Sequence, residues 1–181
     1  FPGHLSRWEW CRRETSRLAE QLAPAISEGI TVIPFADQAE RHPNLTAEAI
    51  NQIFRSSYPN GMTMLDQALG LEIDHFLFDR AMRNSSKPLL MAVITDGAPN
   101  DPQKVVDEII HVSRKIKKDE VKIVFFVIGD DPMSQAFLDY VHKCNREAAL
   151  EFDIVSSRSF AEIRDMGLAK SLATELSACK N

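Results

Sequence analysis

The uncharged run Leu89-Leu90-Met91-Ala92-Val93-Ile94-Thr95 stops abruptly at Asp96-Gly97. A carboxylate just past such a run stands where open α/β sheets place their ligands, beyond the carboxyl end of a strand. A second apolar run, Ile123 to Ile128, stops at Gly129-Asp130-Asp131, and Thr63 follows the turn at Gly61. Carboxylate, hydroxyl and water oxygens suit Mg²⁺, Mn²⁺ or Ca²⁺. Thr63, Asp96, Asp130 and Asp131 are therefore the residues that could do cation chemistry. Each has a structural alternative. Asp96 could cap or turn the chain before a helix start at Pro99. Asp131-Pro132 is an ordinary opening of a helix, and Thr63 alone would be an N-cap.

Other chemistries leave no trace. The sequence has no G-x-G-x-x-G, no G-x-x-x-x-G-K-[ST] and no G-x-S-x-G, so the common dinucleotide, phosphate-loop and hydrolase signatures are missing. No Cys/His group has zinc spacing. His142 and Cys144 are only two potential ligands and read as ordinary helix-end residues.

The elements that must position these residues follow from periodicity. Trp8, Cys11, Thr15, Leu18, Leu22 and Ala25 recur at three- and four-residue spacing, one face of a helix. Trp10 falls off that stripe and is a candidate for partial exposure or a partner contact, against the alternative of a structural role. Pro24 bends or ends this helix. Ile30 to Ala36 reads as a strand made irregular by Pro34, and Asp37 to Asn44 has room for a short edge strand. Thr46 caps a helix over Ala47 to Phe54. Met62 or Thr63 opens a longer helix carrying Leu65, Leu69, Ile73, Phe76 and Leu77. The run Leu89 to Thr95 is strand length, and apolar on both faces it belongs in the middle of a parallel sheet. Val105, Ile109, Val112 and Ile116 mark the next helix, and Phe137, Tyr140 and Val141 the one after Pro132. Glu151 to Val155 reads as the last strand. Phe160, Ile163, Met166, Leu172 and Leu176 mark closing helices. This alternation implies right-handed crossovers and a three-layer α/β fold, a mostly parallel sheet with helices on both faces.

Composition narrows the classes further. With 181 residues, 44% hydrophobic, one domain spanning 1–181 with a real core is expected. The net charge of −5 argues against nucleic acid as the main partner. Three cysteines, Cys11, Cys144 and Cys179, form an odd set without metal spacing, which points to a reducing, cytoplasmic setting. No apolar run reaches the roughly 18 residues of a membrane span.

Three stretches in register carry a resemblance. Gly61-Met62-Thr63-Met64-Leu65, continuing to Ala68-Leu69, resembles the G-x-T-x-L…A-L segment of von Willebrand factor type A domains. Val93-Ile94-Thr95-Asp96-Gly97-Ala98-Pro99 resembles the strand-end T-D-G-x-P of that family. Gly29 to Ala36 and Val124 to Gly129 look like its second and fifth strands. The resemblance implies a Rossmann-like sheet and a metal-ion-dependent adhesion site (MIDAS). There a divalent cation, usually Mg²⁺, is held by a D-x-S-x-S loop, a threonine and an aspartate, and a partner's acidic residue commonly completes its coordination. It implies that Thr63 and Asp96 are the threonine and the aspartate.

No D-x-S-x-S occurs in the chain, and it opens at what looks like the family's first helix. The central first strand would then be missing, leaving an apolar slot beside Leu89 to Ile94. We expect that strand to lie upstream of Phe1, so that the domain as given is N-terminally incomplete. Two alternatives stay open: the Ile30 strand closes directly against the Leu89 strand, or another chain donates one. Thr63 and Asp96 alone predict weak or no Mg²⁺ binding. The expected function is a non-enzymatic module that recognises a protein partner at the C-terminal edge of the sheet. The alternatives are a Mg²⁺-dependent hydrolase or phosphotransfer enzyme using Asp96 and Asp130, and a structural subunit whose metal site is lost.

Overall fold

The computed structural model describes residues 5–57, 61–129 and 131–178, with side chains through 175. The Pro2-Gly3 turn, the Tyr58–Asn60 part of the loop before Gly61, Asp130, and the Leu176 and Cys179 side chains lie outside the described residues. In chain order the elements are α1 (Arg7–Leu22), β1 (Ile30–Val32), β2 (His42–Leu45), α2 (Ala47–Ser56), α3 (Leu65–Met82), β3 (Leu89–Thr95), α4 (Pro102–Ser113), β4 (Val121–Val127), α5 (Pro132–Glu147), β5 (Val155–Ser159), α6 (Phe160–Met166) and α7 (Leu168–Ala178).

Strand β4 organises the core. It pairs parallel with β3 on one side and with β5 on the other. Its side chains alternate between faces, as a strand's must. Val121, Ile123 and Phe125 meet the apolar faces of α3, α4 and α5, including Leu69, Ile73, Val105, Ile109, Phe137 and Val141. Val124, Phe126 and the following Ile128 meet Trp10 and Leu18 of α1, Ile163 of α6, and Leu168 and Leu172 of α7. The two clusters are the two helix layers expected from the alternation of elements. Buried Glu175 of α7 pairs with Arg158 of β5, which also binds Glu162 of α6 and ties the second layer to the sheet.

The remaining strands form a separate antiparallel pair, β1 with β2, joined through Ile30 and Leu45. Gly29, with φ +83°, lets the chain enter β1. A Cβ there would stand 2.5 Å from the Leu45 carbonyl oxygen, closer than any side chain allows. β1 does not pair with β3, so the alternative in which the Ile30 strand closes directly against the Leu89 strand does not hold. The two strands are instead bridged at their starts by Glu28 and Lys87, whose charged groups lie 2.9 Å apart. Ala92 in the middle of β3 is exposed, and Leu89, Leu90, Met91 and Ile94 are half-buried.

Three expectations need correction. Trp10 is not partly exposed: it is 2% accessible, set edge-on against Phe160 in the second layer. The stripe argument assumed one neighbour for α1, but α1 packs against both α2 and α7. Trp8 belongs to the α2 side, half-buried, with its ring 4.6 Å from that of Phe54 and its Nε1 donating to the Phe54 carbonyl. The last strand is not Glu151 to Val155 but Val155–Ser159. The Asp153 carboxylate accepts from the Val155 amide and turns the chain in, so Ile154, the most apolar residue there, is buried just before the strand begins. Met166 is exposed, and Leu168 takes the buried place in the closing helices.

Candidate functional site

Register fixes the C-terminal edge. Thr95 pairs with Val127, and Val127 with Ser159, so three strands end in line. The Ile128 amide still donates to the Thr95 carbonyl, 2.8 Å away, and beyond that the chains diverge. The buried Thr95 hydroxyl donates to the Gly97 carbonyl at 2.8 Å and folds the chain tightly over the strand end. Asp96, at the apex of that turn, is 59% exposed. It does not cap the next helix. That task falls to Asp101, whose carboxylate accepts from the Lys104 amide, with Pro102 in the first turn. Of the structural alternatives for Asp96, the cap fails and the turn holds: it sits in the bend after β3, with its carboxylate exposed.

Thr63 is also not an N-cap. Helix α3 begins at Leu65 behind Met64, without a side-chain cap. The loop before it is held from two sides. The Met62 amide donates to Asp37 Oδ1 at 2.8 Å, and the Met64 amide to the Ala36 carbonyl at 3.2 Å. From the other side, the Thr63 amide donates to Asn100 Oδ1 at 2.5 Å, while the Asn100 amide donates to the Thr63 carbonyl at 3.1 Å. Gly61 has φ +100°, and a Cβ there would collide with the Asp37 carboxylate. Asn100 lies on the segment that leaves Asp96, so the Thr63 and Asp96 loops are clipped to one another. The Thr63 hydroxyl makes no hydrogen bond among the described residues.

Asp131 follows its structural alternative. It is the N-cap of α5, accepting from the Met133 amide at 3.1 Å, with Pro132 at the first helical position. Asp130 lies outside the described residues. Three residues that build this edge were missed in the sequence: Asp37, Asn100 and Arg7. Asp37 had a readable signal, since it is the acid that directly follows the expected strand Ile30 to Ala36, although β1 itself ends at Val32. Asn100 and Arg7 had none, because their roles depend on loops distant in sequence. Arg7 opens α1, and its Nη1 lies 3.1 Å from Asp96 Oδ2.

One turn further along α1, Cys11 is half-buried, and burial pushes its thiol up to about 12, with the Asp96 charge adding to the shift. The thiol stays protonated through neutral pH and is a poor nucleophile. Because the folded value lies above the ordinary one near 9, stability is intact below pH 9 and falls between pH 9 and about 12, where only the unfolded chain releases the proton. Iodoacetamide at pH 8, read by peptide mass spectrometry, should label Cys11 slowly in the native protein and readily in urea.

Residues 6–165 match the family model for the von Willebrand factor type A domain. The chain belongs to that family. The vWA fold agrees with the solved structure of manganese-loaded Plasmodium vivax TRAP protein, which superposes with a TM-score of 0.51 at 20% identity, over 90% of this chain and 65% of that one. The chain thus spans a little under two thirds of that relative's length. A search of curated proteins returned no match. Domains of the vWA family are typically protein-interaction modules.

The family implies a divalent cation, and the described residues can be tested against it. They bring the Asp96 carboxylate and the Thr63 hydroxyl to one edge, but no group of three or more His, Cys, Asp or Glu side chains among them is placed to hold a metal. Mg²⁺ wants about six oxygens and keeps several waters, yet rarely binds tightly through a single protein carboxylate. That one carboxylate, moreover, already faces the Arg7 guanidinium. The residues present do not by themselves fit a complete Mg²⁺ site.

Proposed function

We propose that this vWA domain is a non-enzymatic binding module that recognises a protein partner at the C-terminal edge of its sheet, around Thr63 and Asp96. The supporting observation is the mutual clip between Thr63 and Asn100, which ties the Thr63 loop to the segment that leaves Asp96. The Thr63 and Asp96 side chains are the contribution of this chain to a divalent-cation site, Mg²⁺ in its complete form, at which an acidic residue of the partner would be received. No helix among the described residues is long and apolar enough to cross a membrane. A reducing, cytoplasmic setting is part of the same proposal and rests on the odd set of cysteines.

The test is photo-crosslinking from two positions at opposite ends of the sheet. A crosslinker at exposed Met62, beside Thr63, should give a protein adduct in extract that needs millimolar Mg²⁺, and one at exposed Lys118, beyond the N-terminal end of β4, should not. Equal adducts from both positions, or an adduct from Met62 indifferent to Mg²⁺, would overturn the reading.

A further inference from the structure

Helix α3 is apolar on two sides. Leu65, Leu69 and Ile73 enter the core, as one face of a surface helix must. Leu71, Phe78 and Met82 follow a second stripe at seven- and four-residue spacing, and they are 41%, 51% and 69% exposed. The end of that stripe adjoins a run of cations where α4 closes. Arg114, Lys115, Lys117 and Lys118 are exposed, and none is ion-paired with an acid among the described residues. Lys115 Nζ turns to His111 Nε2 instead, 2.9 Å away. Glu120 is taken by Arg80 and by the Lys117 amide, which leaves Asp119 alone against the run. Arg80 Nη2 also donates to the Lys115 carbonyl at 2.7 Å, so the ends of α3 and α4 are pinned side by side. The chain as a whole carries −5, so this positive field is local.

We propose that this corner is a docking face for an anionic membrane surface. Phe78 and Met82 enter the interfacial zone, and Arg114, Lys115, Lys117 and Lys118 meet the lipid headgroups. The charge complementarity is direct, because cations without acid partners are free to face phosphate and carboxylate groups. A protein partner is anchored by side chains that fill pockets. Here the apolar side chains protrude instead, beside long basic ones, the combination that suits a bilayer interface. Arg83, 65% exposed with its guanidinium 5.8 Å from the centre of the Phe78 ring, adds a cation next to the inserted aromatic. On the outer side of α4, His111, Arg114 and Lys115, with Asp107 and Ile110, line a shallow depression of about 370 Å³, room for a headgroup. The corner lies at the N-terminal end of the sheet, where the Leu89 amide donates to the Glu120 carbonyl. Docking there leaves the opposite edge, with Thr63 and Asp96, turned away from the bilayer.

The experiment is sedimentation of the whole chain with phosphatidylcholine vesicles, with and without about a third phosphatidylserine. The chain should pellet with the anionic vesicles alone, and less as salt rises. Lys117→Glu with Lys118→Glu should weaken binding by about 10- to 30-fold, and Phe78→Ser with Met82→Ser by about five- to tenfold. All four positions are exposed, and circular dichroism checks that each variant folds. Arg164→Glu with Lys170→Glu makes the same change of charge at exposed positions on the other helix layer and should leave binding unchanged. No pelleting by the parent, or equal pelleting with neutral vesicles, would overturn the proposal. So would an equal loss in the Arg164 and Lys170 variant, which would mean bulk charge alone, or no loss in the Phe78 and Met82 variant. Capture of an acidic protein through Lys117 and Lys118, without vesicle binding, would assign the face to a protein and overturn the membrane.

Discussion

Phe125→Ala is expected to destabilise the domain by about 3–5 kcal/mol in urea unfolding, the range for deleting a buried aromatic ring. Phe125 is fully buried at the centre of the only strand described as paired on both sides. Its ring stands edge-on to Phe137 of α5, with centroids 5.7 Å apart. Removing it opens a void between β4 and α5, and the flanking strands limit how far the backbone can collapse to fill it. Domains of this kind are stable by only about 5–15 kcal/mol, so the variant would lose a large share of its margin. A loss below about 1 kcal/mol would mean that this face is not packed as described.

Trp10→Ala is expected to be about as costly, again about 3–5 kcal/mol, while Trp8→Ala should cost only about 1–2 kcal/mol. The contrast isolates the second helix layer. Trp10 joins α1 to Phe126 and Ile163 and meets Phe160 edge-on, with almost no surface left to water. Trp8 is half-buried, and its loss removes one ring contact and one hydrogen bond to the Phe54 carbonyl. Both positions lie in the first turns of the same helix, so propensity effects largely cancel. Equal losses at the two positions would contradict the burial pattern.

Much of the architecture was legible because burial writes a period into the sequence. The run Ile123 to Ile128 is apolar at every position because helices cover both sides, and the helices over Val105 to Val112 and Leu65 to Ile73 repeat at the spacing of a single buried face. Reading failed where one face was not the whole story. In α1 the stripe held only in part: Cys11, Leu18 and Leu22 pack in the cluster that contains Trp10, Trp8 turns to Phe54 of α2, and Ala25 is exposed beyond the helix end. In β5 the sequence Val-Ser-Ser-Arg-Ser has little strand character of its own, and its pairing with β4 overrides local preference. The candidate site was legible in Thr63 and Asp96 through resemblance, since each is an ordinary polar residue when taken alone. Of what surrounds them, Asp37 stood in view after the Ile30 run, whereas Asn100 and Arg7 depend on the approach of loops far apart in the chain, and no local pattern encodes that.

The register of the parallel sheet also bears on how the chain reaches this state. Leu89 pairs with Val121, and Ile123 with Val155, so the two crossovers span equal lengths of chain. Loop-closure entropy depends on span, and it gives neither crossover an advantage. The order of assembly is then left to what each closure buries. Joining β3 to β4 brings two apolar strands together under α4, whereas β5 contributes mainly serines and an arginine. The expected nucleus is the β3–α4–β4 unit, so φ-values should be higher for substitutions in β3, α4 and β4 than for those in β5.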